Sequence, residues 1–130
     1  KAGYGWNTFP KMAGQWIPGG LLPLSPWWKN LVEHNMTVQF IHRILGLVLF
    51  MLISGFWRYT RGFNLTPQQD WLITILMNIV IFQFLLGIFT LLWMVPIWLG
   101  VLHQVGAILL LAAWVSSYFL INNIENKIKY

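Results

Sequence analysis

The chain has 130 residues, of which 58% are hydrophobic, 17% aromatic and only 8% charged. Soluble domains carry about 25% charged residues, so this composition argues against one. Eight Lys or Arg against three Asp or Glu give a net charge of +5, with the basic residues too few and too scattered for a nucleic-acid surface. The chain has no cysteine, which removes disulfides, thiolate metal sites, iron–sulfur clusters and cysteine nucleophiles. An intensely apolar chain with a small basic excess points to a membrane protein.

Residues 1–37 hold four of the six prolines, five of the eleven glycines and four tryptophans. They are not a regular helix. They read as an ordered loop on the extracytoplasmic membrane surface, with Trp16, Trp27 and Trp28 at headgroup level. Residues 38–130 form the membrane region. A spanning helix needs about 20 largely apolar residues, and three stretches qualify, at approximately 38–59, 71–94 and 97–121. Barrel strands are about 10 residues long with polar alternation, a pattern not seen here. The expected fold is an all-α membrane protein of three transmembrane helices. Between the first two spans, Thr66 followed by Pro67 reads as a helix cap and first turn. Val95–Pro96 makes a tight turn before the third.

Arg58 and Arg61 in one short connection, with Lys127 and Lys129 at the C-terminus, fall on one side of a three-span chain. The positive-inside tendency makes that side cytoplasm or matrix. The N-terminal loop and the Val95–Pro96 turn fall on the other, together with Lys1, Lys11 and Lys29.

Ionisable residues within spans are costly and mark function. Three occur here: His42, Arg43 and His103. His42 lies about five residues into the first span and His103 about six into the third. Both spans start on the same side, so at 1.5 Å rise per residue both imidazoles sit roughly 7–10 Å below one surface. Two histidines at matched depth on two helices are what a bis-histidine haem needs. Gly46 lies four residues after His42, and Gly106 and Ala107 lie three and four after His103. Small residues on the histidine's own face let a flat ring approach the backbone. Arg43 is placed to meet a haem propionate, and Gln39 and Gln104 offer further polar contacts. In the second helix Gln83, Gly87 and Thr90 form an i, i+4, i+7 stripe that faces a partner helix.

Plainer readings stand beside these. An intramembrane histidine can simply hydrogen-bond a neighbouring helix, and small residues can simply pack helices. Two histidines without carboxylate or thiolate partners make a poor zinc site. Arg43 can snorkel to the interface, and His34, in the loop, reads as solvated. Glu33 is the sole carboxylate on its side, with Asp70 and Glu125 across the membrane, too few for a paired acid–base site.

The segments "AGYGWNTFPKMAGQWIP", "SPWWKNLVEHNMTVQFIHRILG", "QFLLGIFTLL" and "LGVLHQVGAILLL" resemble, in order and spacing, the C-terminal half of haem A synthase. The resemblance covers nearly the whole chain. It implies eight transmembrane helices in two similar four-helix halves, of which this chain supplies three helices of one half-bundle. It implies that the C-terminal half binds haem b as cofactor, with His42 and His103 matching the two axial ligands. It implies that the N-terminal half binds the substrate, haem O, whose methyl group is oxidised to the formyl of haem A by successive hydroxylations. The product serves terminal oxidases.

The family's N-terminal half carries a Glu three residues before its first histidine, thought to be catalytic. Here that position is Gln39, which cannot take up a proton at neutral pH. The catalytic residues therefore stay unassigned in this chain, which is expected to be part of a longer protein. Implied partners are the N-terminal half, the lipid bilayer, haem O synthase and a terminal oxidase. The implied location is a bacterial cytoplasmic membrane or the mitochondrial inner membrane, with the haem site toward the periplasmic or intermembrane side. Two other readings stay open: a stand-alone b-type electron-transfer subunit of a respiratory complex, and a haem-free structural subunit.

Overall fold

A computed structural model describes the backbone of residues 4–128 and the side chains of residues 4–119. Lys1 and Lys129 lie outside the described residues, as do the side chains of Glu125 and Lys127. Three α-helices follow one short 3-10 helix, Trp27–Leu31: α1 Asn35–Thr60, α2 Pro67–Leu92 and α3 Ile97–Ile128. No strand occurs among the described residues. All three helices are long and apolar enough to cross a membrane, the third over Ile97–Phe119.

The expected spans and the helices differ at their ends for local reasons. The polar run Pro67–Asp70 is helical because Thr66 and Gln69 form a capping box. The Gln69 amide donates to Thr66 Oγ1 and the Thr66 amide to Gln69 Oε1. Such a box satisfies two of the N–H groups orphaned at a helix start. At the other end, α2 stops at Leu92 because Met94 and Val95 take left-handed backbone angles, φ 58° and 52°. The Met94 amide donates to Leu91 O and the Val95 amide to Thr90 O. This bonding pattern is a Schellman motif, whose left-handed residue is ordinarily glycine.

Left-handed backbone costs about 1–2 kcal/mol for an L-residue. Met94 is 67% exposed, so its side chain offers little packing in return. Met94→Gly is therefore expected to raise the thermal midpoint of the detergent-solubilised protein. An unchanged or lower midpoint would show that the methionine side chain holds the turn.

α2 packs against both α1 and α3. Ile53, Leu76, Val80 and Leu110 form the core of the bundle, with Phe50, Met77, Ile79 and Ala113 around them. Many apolar side chains on α1 and α3 face outward, as lipid-facing surfaces do. Within a bilayer, apolar burial gives no drive against equally apolar lipid. Helix association rests on close packing, small residues and polar contacts.

The N-terminal loop is built on its own anchors. Met12 is buried, and Met12 and Gln15 exchange backbone bonds across a two-residue turn. Asn30 is fully buried in the 3-10 helix. Its carboxamide accepts from the Leu24 amide and donates to Leu24 O and Trp27 O. Three backbone groups thus depend on one side chain. Trp16, Trp27 and Trp28 are exposed. Asn30→Leu keeps the size and removes the bonds, and a buried group left unsatisfied costs about 1–3 kcal/mol. The expected result is faster proteolysis between residues 22 and 31 with the helices intact. Wild-type resistance to the protease would place the loop's stability elsewhere.

Candidate functional site

His42, Arg43 and Gln39 of α1, Thr90 of α2 and His103 of α3 lie toward the end of the bundle where α1 and α3 begin and α2 ends. His42 on α1 and His103 on α3 face each other there, with ring centres 6.1 Å apart and ring planes at 78°. The two are not equivalent. His42 is exposed, whereas His103 is half-buried, with its Nδ1 shielded and unpartnered.

The difference comes from α2. Its stripe Gln83–Gly87–Thr90 meets the α3 stripe Leu99–His103–Gly106 as complementary antiparallel rows. Thr90 Oγ1 donates within α2 to Leu86 O and lies 3.5 Å from Leu99 O. Gly87 lies against the His103 ring, where a Cβ would stand 2.8 Å from Cε1. Gln83 Nε2 donates to His103 O at 2.6 Å, and its Oε1 lies where a Cβ on Gly106 would fall. Gly106 therefore makes room for Gln83, and Gly87 makes room for the histidine ring. The stripe expected to be helix packing is packing, and it also places His103.

The other expected residues fall as follows. Gly46 is half-buried on α1 with open space where a Cβ would be. Gln104 and Ala107 are exposed, away from α2. Gln39 is buried, and its Nε2 donates to Trp6 O at 3.4 Å while Oε1 has no partner. Arg43 reaches outward to the loop: Nη1 donates to Thr8 O at 2.7 Å and Nη2 to Trp6 O at 2.6 Å. Its Nε is buried without a partner. His34 Nδ1 pairs with Thr37 Oγ1 at 2.8 Å and is only partly exposed, rather than solvated.

Sequence reasoning did not find the strap formed by Trp6–Phe9. It ties α1 to α2 through Arg43, through Asn7 Nδ2 donating to Leu91 O at 2.7 Å, and through the Phe9 ring against Phe84. A loop without periodicity carries no signal for such contacts. At the opposite end, a depression of about 280 Å³ beside the α1–α2 connection is lined by Thr60, Arg61, Phe63 and Asp70, among others. There Arg61 pairs with Asp70 at 2.6 Å, a half-exposed pair of small energetic weight. Among the described residues, no group of three His, Cys, Asp or Glu side chains gathers to hold a metal ion on its own.

Three membrane-length helices with a facing histidine pair near one surface define a helical integral membrane protein whose polar centre lies between spans. The family whose model is described as "Cytochrome oxidase assembly protein" matches residues 1–115, and the chain belongs to that family. It is 41% identical over 118 residues to a protein of Nitrosospira multiformis named "Heme A synthase", covering 89% of this chain and 33% of that one. It is 39% identical over 116 residues to the "Heme A synthase" of Parvibaculum lavamentivorans, covering 88% and 33%. To "Heme A synthase COX15" of Arabidopsis thaliana it is 39% identical over 110 residues, covering 85% and 24%. The chain thus spans a third or less of the length of these relatives. No solved structure matches it.

Proposed function

We propose that this chain is the haem b-binding C-terminal portion of a haem A synthase, with His42 and His103 as the axial ligands. The observation that carries the reading is the spacing of the two rings. A metal–imidazole bond of about 2 Å, with about 1 Å from nitrogen to ring centre, puts the centres of two opposed ligands about 6 Å apart. The rings stand 6.1 Å apart on separate helices. The relatives named heme A synthase support the same reading.

The surrounding residues suit such a group. Open space at Gly46 leaves the α1 side free for a flat macrocycle. Arg43 is bonded only to neutral carbonyls, so its charge remains available to a propionate through the unpartnered Nε. A haem held by His42 and His103 would supply one-electron transfer. Gln39 neither gains nor loses a proton at neutral pH, so the position that carries the Glu of the N-terminal half supplies no acid or base here, which supports a cofactor half rather than the substrate site. In the whole protein, conversion of the haem O methyl to the haem A formyl by successive hydroxylation belongs to the N-terminal half, and the product is destined for a terminal oxidase. The site lies at the N-terminal loop end of the bundle, opposite Arg58 and Arg61, and the positive-inside tendency supports a periplasmic or intermembrane side for it.

The test is a reduced-minus-oxidised visible spectrum of the purified full-length protein, with a pyridine haemochrome assay for haem type. Low-spin haem b bands are expected. A folded protein free of haem b would favour histidines that only brace helices.

A further inference from the structure

We propose that Gln83 and Gly87 of α2 are positioning residues for the second axial ligand, fixing where the His103 imidazole stands. The inference rests on the haem reading above.

Two contacts hold His103, one on its ring and one on its backbone. Gly87 lets the ring lie directly on the α2 main chain. A Cβ there would stand 2.8 Å from Cε1, 3.4 Å from Nε2 and 3.5 Å from Nδ1. Real side chains do not approach within 3.0 Å, so any substituent must push the ring aside. The face toward α2 is thereby closed, and the ring is confined between α2 and His42.

Gln83 acts on the main chain. A carbonyl has two lone pairs, one of which serves the helix ladder. Gln83 Nε2 takes up the other capacity of His103 O at 2.6 Å. Gln83 is only 8% exposed, and the absence of a side chain at Gly106 lets its carboxamide in. In a bilayer no water replaces such a bond. It therefore fixes the height of α3 against α2 at the residue that bears the ligand.

His42 has no such brace. It is exposed, and a Cβ on Gly46 one turn later would meet nothing. The ligation geometry is consequently set from the α3 side, with His42 adapting to it.

The experiment compares wild type, His103→Ala, Gly87→Ala, Gln83→Met and Gly55→Ala in the full-length protein in detergent. Gly55 is a helix glycine with nothing within 4 Å of an added Cβ, so it controls for helix effects. The readouts are haem b content, the low-spin electron paramagnetic resonance signal and the midpoint potential. Differences from His103→Ala isolate the haem of this half.

Alanine is a better helix former than glycine, so Gly87→Ala does not weaken α2 itself. It is expected to convert most of the low-spin signal to high spin, and added free imidazole is expected to restore it. Gln83→Met, similar in size but without a donor, is expected to shift the signal and the potential while haem b content stays near wild type. Gly55→Ala should match wild type. The proposal is overturned if Gly87→Ala and Gln83→Met both superpose on wild type in signal and potential. Should Gly87→Ala fail to accumulate, Gln83→Met decides alone. A low-spin haem b signal that is unchanged from wild type in His103→Ala would instead sink the haem reading.

Discussion

His103→Ala and His42→Ala are each expected to abolish the low-spin haem b signal of this half while leaving the helices in place. The expectation separates ligation from folding because neither imidazole belongs to the apolar core of the bundle. His42 is exposed, so its loss opens no cavity in the bundle. At His103 the contact that ties α3 to α2 is made by the backbone carbonyl, which alanine keeps. The core of Ile53, Leu76, Val80 and Leu110 is a separate cluster. Circular dichroism and elution in detergent should therefore match wild type as haem b content and low-spin absorption fall. Free imidazole should recover part of the six-coordinate spectrum in either variant, because each substitution leaves room for it. An unchanged spectrum in His42→Ala would rule out His42 as the second ligand.

The membrane helices were legible because hydrocarbon thickness demands long apolar runs, and this chain has three. Their ends were less legible. The run Pro67–Asp70 looks like loop by polarity, yet the Thr66–Gln69 capping box draws it into α2. The facing histidines were readable from chain direction alone: α1 and α3 start on the same side, so equal distance into each helix means equal depth.

The assignment of small residues was only partly readable. Both Gly106 and Ala107 lie within one turn of His103. At 100° per residue, however, Leu99 and Gly106 fall to one side of His103 and Ala107 to the other. α2 packs on the first side, so Gly106 meets Gln83 and Ala107 is exposed. Nothing in a single helix's periodicity says which side its neighbour takes. The Gln83–Gly87–Thr90 stripe announced an interface, but its partner row depended on the α2–α3 crossing. From sequence Arg43 suits an anion or an interface contact, whereas its carbonyl partners lie in a Pro- and Gly-rich loop that periodicity cannot place.

Arg43→Ala is expected to release the strap Trp6–Phe9 from the helices. Two bonds from one guanidinium hold the main chain at Trp6 and Thr8, and hydrogen bonds to charged groups contribute about 1.5–3 kcal/mol each. The remaining ties are weaker individually, among them the long Gln39 Nε2 bond to Trp6 O at 3.4 Å. Asn7 caps Leu91 O, a carbonyl of the last turn of α2, with a neutral donor. Phe9 meets Phe84 edge-on at 6.3 Å, a contact of about 0.5–1.5 kcal/mol beyond its buried area. Loss of Arg43 thus removes the largest part of the attachment, whereas Arg43→Lys keeps the charge but lacks the planar fork that serves two carbonyls at once. Hydrogen exchange read on residues 4–12 should be fastest in Arg43→Ala, intermediate in Arg43→Lys and slowest in wild type, with α1 and α2 unchanged. The order matters more than the size. Protection that is equal in all three proteins would shift the anchoring to Gln39, Asn7 and Phe9 and leave the Arg43 charge serving the site rather than the strap.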